Sequence, residues 1–190
     1  MFFDENMLLD LRLNILDDYV SKFIVCESTY SHSGKKKKLN FDINNFPKFR
    51  SKIEYIVSDK EPDNLKIIKN EDSIALKESK TLDNALIREN FQRNFAQKKL
   101  LEADDNDLIL INDLDEIPDL SNFSYNKKIT IFKQKMLYFK LNLIYKNLSW
   151  TGSKICKKKD FINPQWLRNI KTRKYPLWRL DIFFSNKKYN

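Results

Sequence analysis

Two aspartates one residue apart, Asp113 and Asp115, with Glu116 beside them, are the groups whose types and spacing most directly suggest chemistry. They follow Leu108-Ile109-Leu110-Ile111, a continuous apolar run of the kind found in a strand covered on both faces. In extended chain alternate residues project to one side, so Asp113 and Asp115 would face together while Leu114 faces away. Two carboxylates at a strand end make a hard-oxygen site for Mg²⁺ or Mn²⁺, and such an ion can hold a diphosphate. Pro118 would end the strand, since it brings no N–H to a ladder. An isolated Asp-x-Asp is more often an acidic turn; the apolar strand before it favours the functional reading. Upstream, Glu89 and Arg93 are four residues apart in Arg88-Glu89-Asn90-Phe91-Gln92-Arg93 and would pair on one helix face. That pair alone is an ordinary ion pair worth about 0.3–0.5 kcal/mol, but an arginine near a carboxylate strand also suits a diphosphate.

The rare residues exclude other chemistries. With only Gly34 and Gly152 available, the chain holds no phosphate loop, dinucleotide fingerprint or nucleophile elbow. A single histidine, His32, excludes a paired-histidine zinc site, and Cys26 and Cys156 lack finger spacing. Both cysteines lie in apolar segments and read as buried, reduced thiols. The 35 basic and 26 acidic residues leave a net charge of +9 and a pI near 9.4. This charge favours anionic partners, either nucleic acid, a membrane surface or a phosphorylated substrate. Lysine and asparagine are abundant throughout, however, and Lys35–Lys38 and Lys157–Lys159 read as solvated surface. The apolar runs are far shorter than the ~20 residues of a spanning helix, and the opening Met1-Phe2-Phe3-Asp4-Glu5 resembles neither a secretory signal nor a transit peptide. A cytoplasmic protein is the expectation.

The elements that must position these groups are legible in outline. Leucine and isoleucine spacing predicts a helix over Leu8–Leu16. Lys22–Glu27 and Lys52–Val57 read as strands, the first ending in a carboxylate, with a turn-rich Thr29–Gly34 and an irregular connection around Pro47 between them. Thr81 is the expected N-cap of a long helix to about Leu101, with Leu82, Leu86, Ala96 and Leu100 among its apolar positions. Lys128–Phe132 and Met136–Leu141 read as further strands. Alternating strands and helices predict one α/β domain over 1–190 around a largely parallel sheet, with ligands at the carboxyl ends of its strands. The Asp113–Asp115 strand is expected to be central.

Four ordered blocks resemble glycosyltransferase family 17, the β-1,4-mannosyl-glycoprotein N-acetylglucosaminyltransferases. They are Phe2-Phe3-Asp4-Glu5 with Leu8-Leu9 and Arg12-Leu13; Val25-Cys26-Glu27-Ser28 with Ser31-His32-Ser33-Gly34-Lys35; Arg88-Glu89 with Gln92-Arg93; and Asp113-Leu114-Asp115-Glu116-Ile117-Pro118. The resemblance covers about residues 2 to 155. The family continues into a Gly-Gly-Trp-His segment that does not occur before Asn190, so a C-terminally shortened transferase is the expectation.

The resemblance implies a GT-A fold, a Rossmann-like, mostly parallel sheet flanked by helices. It implies a metal-dependent, inverting transfer of N-acetylglucosamine from UDP-GlcNAc to a glycan acceptor in β-1,4 linkage. Asp113 and Asp115 would hold Mn²⁺ or Mg²⁺ on the diphosphate. Glu27, Thr29, Lys35, Arg88, Arg93 and Asp113 would line the donor site. An inverting reaction needs a carboxylate base; Glu116 is the candidate by proximity, with Asp160 and Asp181 as others. The expected partners are the nucleotide sugar and the acceptor, not nucleic acid, with peripheral association at a membrane surface through basic patches. The competing readings are a basic nucleic-acid-binding protein, whose aromatics and lysines interleave over Tyr125–Tyr145 and Trp150–Trp178, a metal-dependent phosphotransferase or nuclease, and an inactive remnant of the transferase.

Overall fold

The computed structural model describes residues 1–140 and 142–171, which divide between two compact units, Met1–Glu102 and Ala103–Asn190. In the first unit, helix α1 (Asn6–Leu16) buries Leu9, Leu13 and Leu16, spaced to lie on one helical face. Strands β1 (Phe23–Ser28) and β2 (Ile53–Ser58) are rich in β-branched and aromatic residues and pair in parallel, Phe23 opposite Ile53 through Ser28 opposite Ser58. Phe2 bridges to Glu27. The core gathers Phe2, Phe23, Val25, Phe46 and Phe49, and the Phe41 ring stacks 4.5 Å from Tyr55.

Helix α2 (Ile74–Phe95) departs from the expected boundaries. Its N-cap is Ser73, whose hydroxyl accepts from Leu76 N at 3.3 Å. Thr81 lies inside the helix, its hydroxyl donating back to Lys77 O. Leu82 and Leu86 are exposed, whereas Asn84, Gln92 and Arg93 are buried. The helix therefore docks through polar groups. Asn84 accepts from Lys66 N at 2.7 Å and donates to Lys66 O at 2.9 Å, and Gln92 Nε2 donates to Cys26 O at 3.1 Å. These bonds tie the helix to the backbone of the segment before it and of β1.

The second unit holds β3 (Leu108–Ile111), β4 (Ile129–Ile131), β5 (Gln134–Leu137), β6 (Ile144–Trp150), β7 (Lys154–Lys157) and α3 (Pro164–Asn169). Strand β7 lies between β3 and β4 and is antiparallel to both, while β5 and β6 form a separate antiparallel ribbon. Cys156, Leu167 and Ile170 form its core, with Ile111, Ile129, Ile131, Phe161 and Trp166 against them.

Two expectations are corrected. Among the described residues only β1 and β2 are parallel, and β3 is an edge strand of an antiparallel sheet rather than the centre of a parallel one. Leu108 is accordingly exposed and only Ile109 of that strand is fully buried. Parallel pairing needs a crossover of a dozen or more residues, commonly a helix, and no helix lies between β3 and β7 among the described residues. The predicted strand Met136–Leu141 also ends early, at Leu137, where the chain turns; Leu141 lies outside the described residues.

Both cysteines are free and buried. Burial pushes the Cys26 thiol up to about 11 and the Cys156 thiol up to about 12, so both stay protonated near neutrality. No helix among the described residues is long and apolar enough to cross a membrane.

Candidate active site

In the first unit a pocket opens at the carboxyl ends of β1 and β2, between Ser28, Tyr30, His32 and Lys60 on one side and Arg88 and Phe91 of α2 on the other. The loop after β1 is a tight turn. Gly34 N donates to Ser31 O at 2.9 Å and Ser31 N to Lys35 O at 2.8 Å. Gly34 has φ +87°, and a Cβ there would lie 2.6 Å from Arg88 Nη2. The glycine thus admits both the turn and the guanidinium. Arg88 Nε donates to Glu61 Oε1 at 2.7 Å and Nη1 to His32 O at 3.4 Å, which fixes the cation at the pocket wall.

Gly34→Ala is expected to cost about 1–2 kcal/mol, because it places a Cβ in the left-handed region and displaces Arg88. Thermal unfolding checks this, and a midpoint equal to that of the unaltered chain would count against the described turn.

Helical geometry decides which arginine reaches the pocket. Arg88, Phe91 and Gln92 are three and four residues apart and share a face, whereas Arg93 lies five residues on, about 140° around the axis. Arg93 is 7% exposed, pairs with Glu89 at 2.7 Å as the spacing predicts, and is not among the residues lining this pocket. Glu27 is also displaced from its expected role. It is 0% exposed and accepts from Lys37 Nζ at 2.5 Å, Asn40 N at 2.8 Å, Phe41 N at 3.1 Å and Tyr55 Oη at 2.9 Å. Burial alone would raise its pKa, but these donors outweigh it and hold the carboxyl below its ordinary value. Glu27 staples the following loop to the strand end instead of facing a ligand. Thr29 likewise serves the loop, its N–H donating to Ser58 O at 3.0 Å, while the Lys35 side chain is exposed.

In the second unit Asp113–Glu116 is a turn rather than extended chain. Glu116 N donates to Asp113 O at 3.1 Å, and Asp113 N donates back to Glu116 Oε2 at 2.9 Å. Asn112 Nδ2 donates to Glu116 O at 2.8 Å. Asp113 and Asp115 therefore do not alternate about Leu114 as in extended chain, because the Asp113 N–H is drawn to the Glu116 carboxylate and away from strand geometry.

The turn is held from later in the chain. Glu116 is 5% exposed; Trp150 Nε1 donates to its Oε1 at 2.5 Å, and the Arg168 guanidinium meets Oε1 at 2.8 Å and Oε2 at 3.1 Å. Arg168 Nη2 also meets Asp113 Oδ2 at 2.6 Å. A Cβ on Gly152 would lie 1.7 Å from Glu116 Oε1, so only glycine leaves room for the carboxylate. Arg168 sits in the last turn of α3, whose N-cap Asn163 accepts from Trp166 N at 2.7 Å. Buried Lys154 donates to Arg168 O, a cation at the negative end of that short helix.

A model of glycosyltransferase family 17 matches residues 1–146. The chain belongs to glycosyltransferase family 17. No curated protein and no solved structure matches it. Membership makes the chain a transferase that uses an activated sugar and an acceptor, and favours that reading over the nucleic-acid and phosphotransferase alternatives.

For this family 17 member, no group of three or more metal-ligating side chains exists among the described residues. The Asp113 turn still fits a divalent ion of one kind. Asp115 is exposed and makes no hydrogen bond or ion pair among the described residues. Mg²⁺-type ions commonly take one or two carboxylates and complete their shell from substrate phosphates and water. Asp113 would divide its carboxylate between such an ion and Arg168, whose Nη2 already meets its Oδ2.

The other base candidates differ in standing. Asp160 is paired with Lys128 at 2.9 Å, and Asp181 lies outside the described residues. Sequence reasoning missed Trp150, Gly152, Lys154 and Arg168, all beyond the matched segment. The available signal was glycine scarcity: both of the chain's glycines make room for a charged group, Gly34 for Arg88 and Gly152 for Glu116.

Proposed function

We propose that this family 17 chain transfers N-acetylglucosamine from UDP-GlcNAc to a glycan acceptor with inversion, in β-1,4 linkage and with a divalent metal, within the GT-A framework its resemblance implies. The observation that carries the metal-dependent reading is the locked turn, in which buried Glu116 is fixed and exposed Asp115 is presented. Glu116 is read as a positioning residue, because its oxygens already accept from Trp150, Arg168 and Asp113 N. Asp115, with Asp113, would hold Mn²⁺ or Mg²⁺. The ion would supply charge that stabilises the departing diphosphate. Within the first unit, Arg88, fixed by Glu61 and admitted by Gly34, is a cation at the carboxyl ends of β1 and β2 that would suit an anionic donor group.

Calorimetry of UDP with and without Mn²⁺ tests the reading without requiring turnover. UDP and metal should bind cooperatively, because each supplies charge the other needs. Asp115→Asn keeps the shape and removes one negative charge, so the coupling should fall at least tenfold in a folded protein. Arg88→Ala should weaken UDP several-fold with the metal coupling retained. Equal UDP binding with and without metal would defeat the metal-dependent donor site. Unchanged UDP affinity in Arg88→Ala would remove the arginine from it.

A further inference from the structure

Apart from Trp150, whose indole holds Glu116, the β5–β6 ribbon carries no residue assigned above to the donor site, and its composition is unusual. No aspartate or glutamate occurs from residue 120 through 159, a stretch holding ten lysines. Within the ribbon every residue of β6 is exposed, including Ile144, Tyr145, Leu148 and Trp150. A two-stranded ribbon is marginal in water on its own, so exposed apolar side chains on it call for a covering surface.

The turn joining the strands is more telling. Tyr138 N donates to Leu143 O at 2.9 Å and Leu143 N to Lys140 O at 3.1 Å, which puts Phe139 at the tip. Phe139 is 89% exposed and has φ +61°, the one non-glycine residue with positive φ among those described. A bulky side chain in the left-handed region is unfavourable. Its ring contact is Tyr138, 4.2 Å between centroids, so the conformation gains little burial within the chain. From the base of the ribbon to its tip, the ammonium groups of Lys133, Lys135, Lys146 and Lys140 are exposed and make no hydrogen bond or ion pair among the described residues.

We propose that the β5–β6 ribbon docks on an anionic lipid surface, with Phe139, Tyr138, Leu143 and Ile144 entering the headgroup region and the four lysines facing lipid phosphates. Aromatic and aliphatic side chains at a tip, backed by lysines in a stretch of sequence that holds no acid, match an interface that is apolar beneath and anionic above. The charge argues against a neutral sheet edge as partner. It also argues against a second copy of the ribbon, which would bring like charges together.

The test is sedimentation of the full chain with vesicles of phosphatidylcholine alone, or with a quarter of the lipid replaced by phosphatidylglycerol. The chain should bind the anionic vesicles and not the neutral ones, and raised salt should weaken binding. Phe139→Gly should lower the partition coefficient at least tenfold while its thermal midpoint stays equal or rises, because glycine relieves the left-handed strain. A merely structural turn would not separate these two readouts. Lys140→Glu with Lys146→Glu should also weaken binding at least tenfold. Absence of binding to anionic vesicles, or equal binding by Phe139→Gly, overturns the proposal. So does a lipid-free dimer that Phe139→Gly dissociates, or a single-stranded oligonucleotide that competes the chain off the vesicles.

Discussion

Gly152→Ala is expected to destabilise the second unit by about 3 kcal/mol or more. The added Cβ would fall 1.7 Å from Glu116 Oε1 and 2.2 Å from its Cδ, well inside contact distance. Either β7 and the segment before it move, or the carboxylate leaves its socket. Overpacking in a tight interior costs about 1–3 kcal/mol, and breaking a buried ion pair about 3–5 kcal/mol. Displacing Glu116 would strip Arg168 of one partner and Asp113 N of its acceptor. Chemical denaturation of Gly152→Ala, Glu116→Ala and the double variant forms a cycle. Glu116→Ala removes the colliding atoms, so the double variant should be only slightly less stable than Glu116→Ala alone, a coupling of about 2 kcal/mol. A Gly152→Ala chain within about 0.5 kcal/mol of the unaltered one would refute the socket. Under the proposed function the same substitution should also reduce the UDP–Mn²⁺ coupling, since it releases the turn that presents Asp115.

The parts of the fold that local chemistry determines were legible from residues alone. Phe23–Ser28 and Ile53–Ser58 declare themselves by β-branched and aromatic content, and the structure moves their boundaries by one residue. Helix α1 is legible because Leu9, Leu13 and Leu16 keep helical spacing. The start of α2 was not, for a physical reason. Its buried positions include Asn84, Gln92 and Arg93, so its apolar residues do not mark its inner face, and Leu82 and Leu86 point to water. The wrong face led to the wrong cap, Thr81 in place of Ser73.

The site divides in the same way. Asp113, Asp115 and Glu116 stand out by type and spacing, but their geometry depends on Trp150, Gly152 and Arg168, 34 or more residues further along. Such tertiary contacts leave no local pattern. The reciprocal bonds between Asp113 and Glu116 do leave a local trace, because a carboxylate three residues after a backbone N–H is the spacing of a capping box. Arg88 and Arg93 could not be told apart until the rotation of α2 was fixed by Gln92 against Cys26 O.

Glu27→Gln carries the other large expected effect, and its pH dependence distinguishes it from an ordinary loss of packing. The buried carboxylate accepts from Lys37, Asn40, Phe41 and Tyr55, and so ties the loop after β1 to the core. Glutamine keeps the shape but loses the charge, and its amide turns one oxygen acceptor into a donor facing donors. A loss of about 3–5 kcal/mol is expected for breaking a buried pair from one side. The direction with pH follows from the depressed pKa of the folded carboxyl, whose ordinary value is 4.5. Above that ordinary value Glu27 is ionised in both folded and unfolded chains, and its stabilisation is fully present. As pH falls below it the unfolded chain takes up the proton first, so the stabilisation shrinks until the folded pKa is passed. Denaturation midpoints measured from neutrality down to about pH 3 should therefore converge for the unaltered and Glu27→Gln chains, with the gap widest near neutrality. A gap that stays constant across this range would mean that Glu27 stabilises the unit through shape rather than charge.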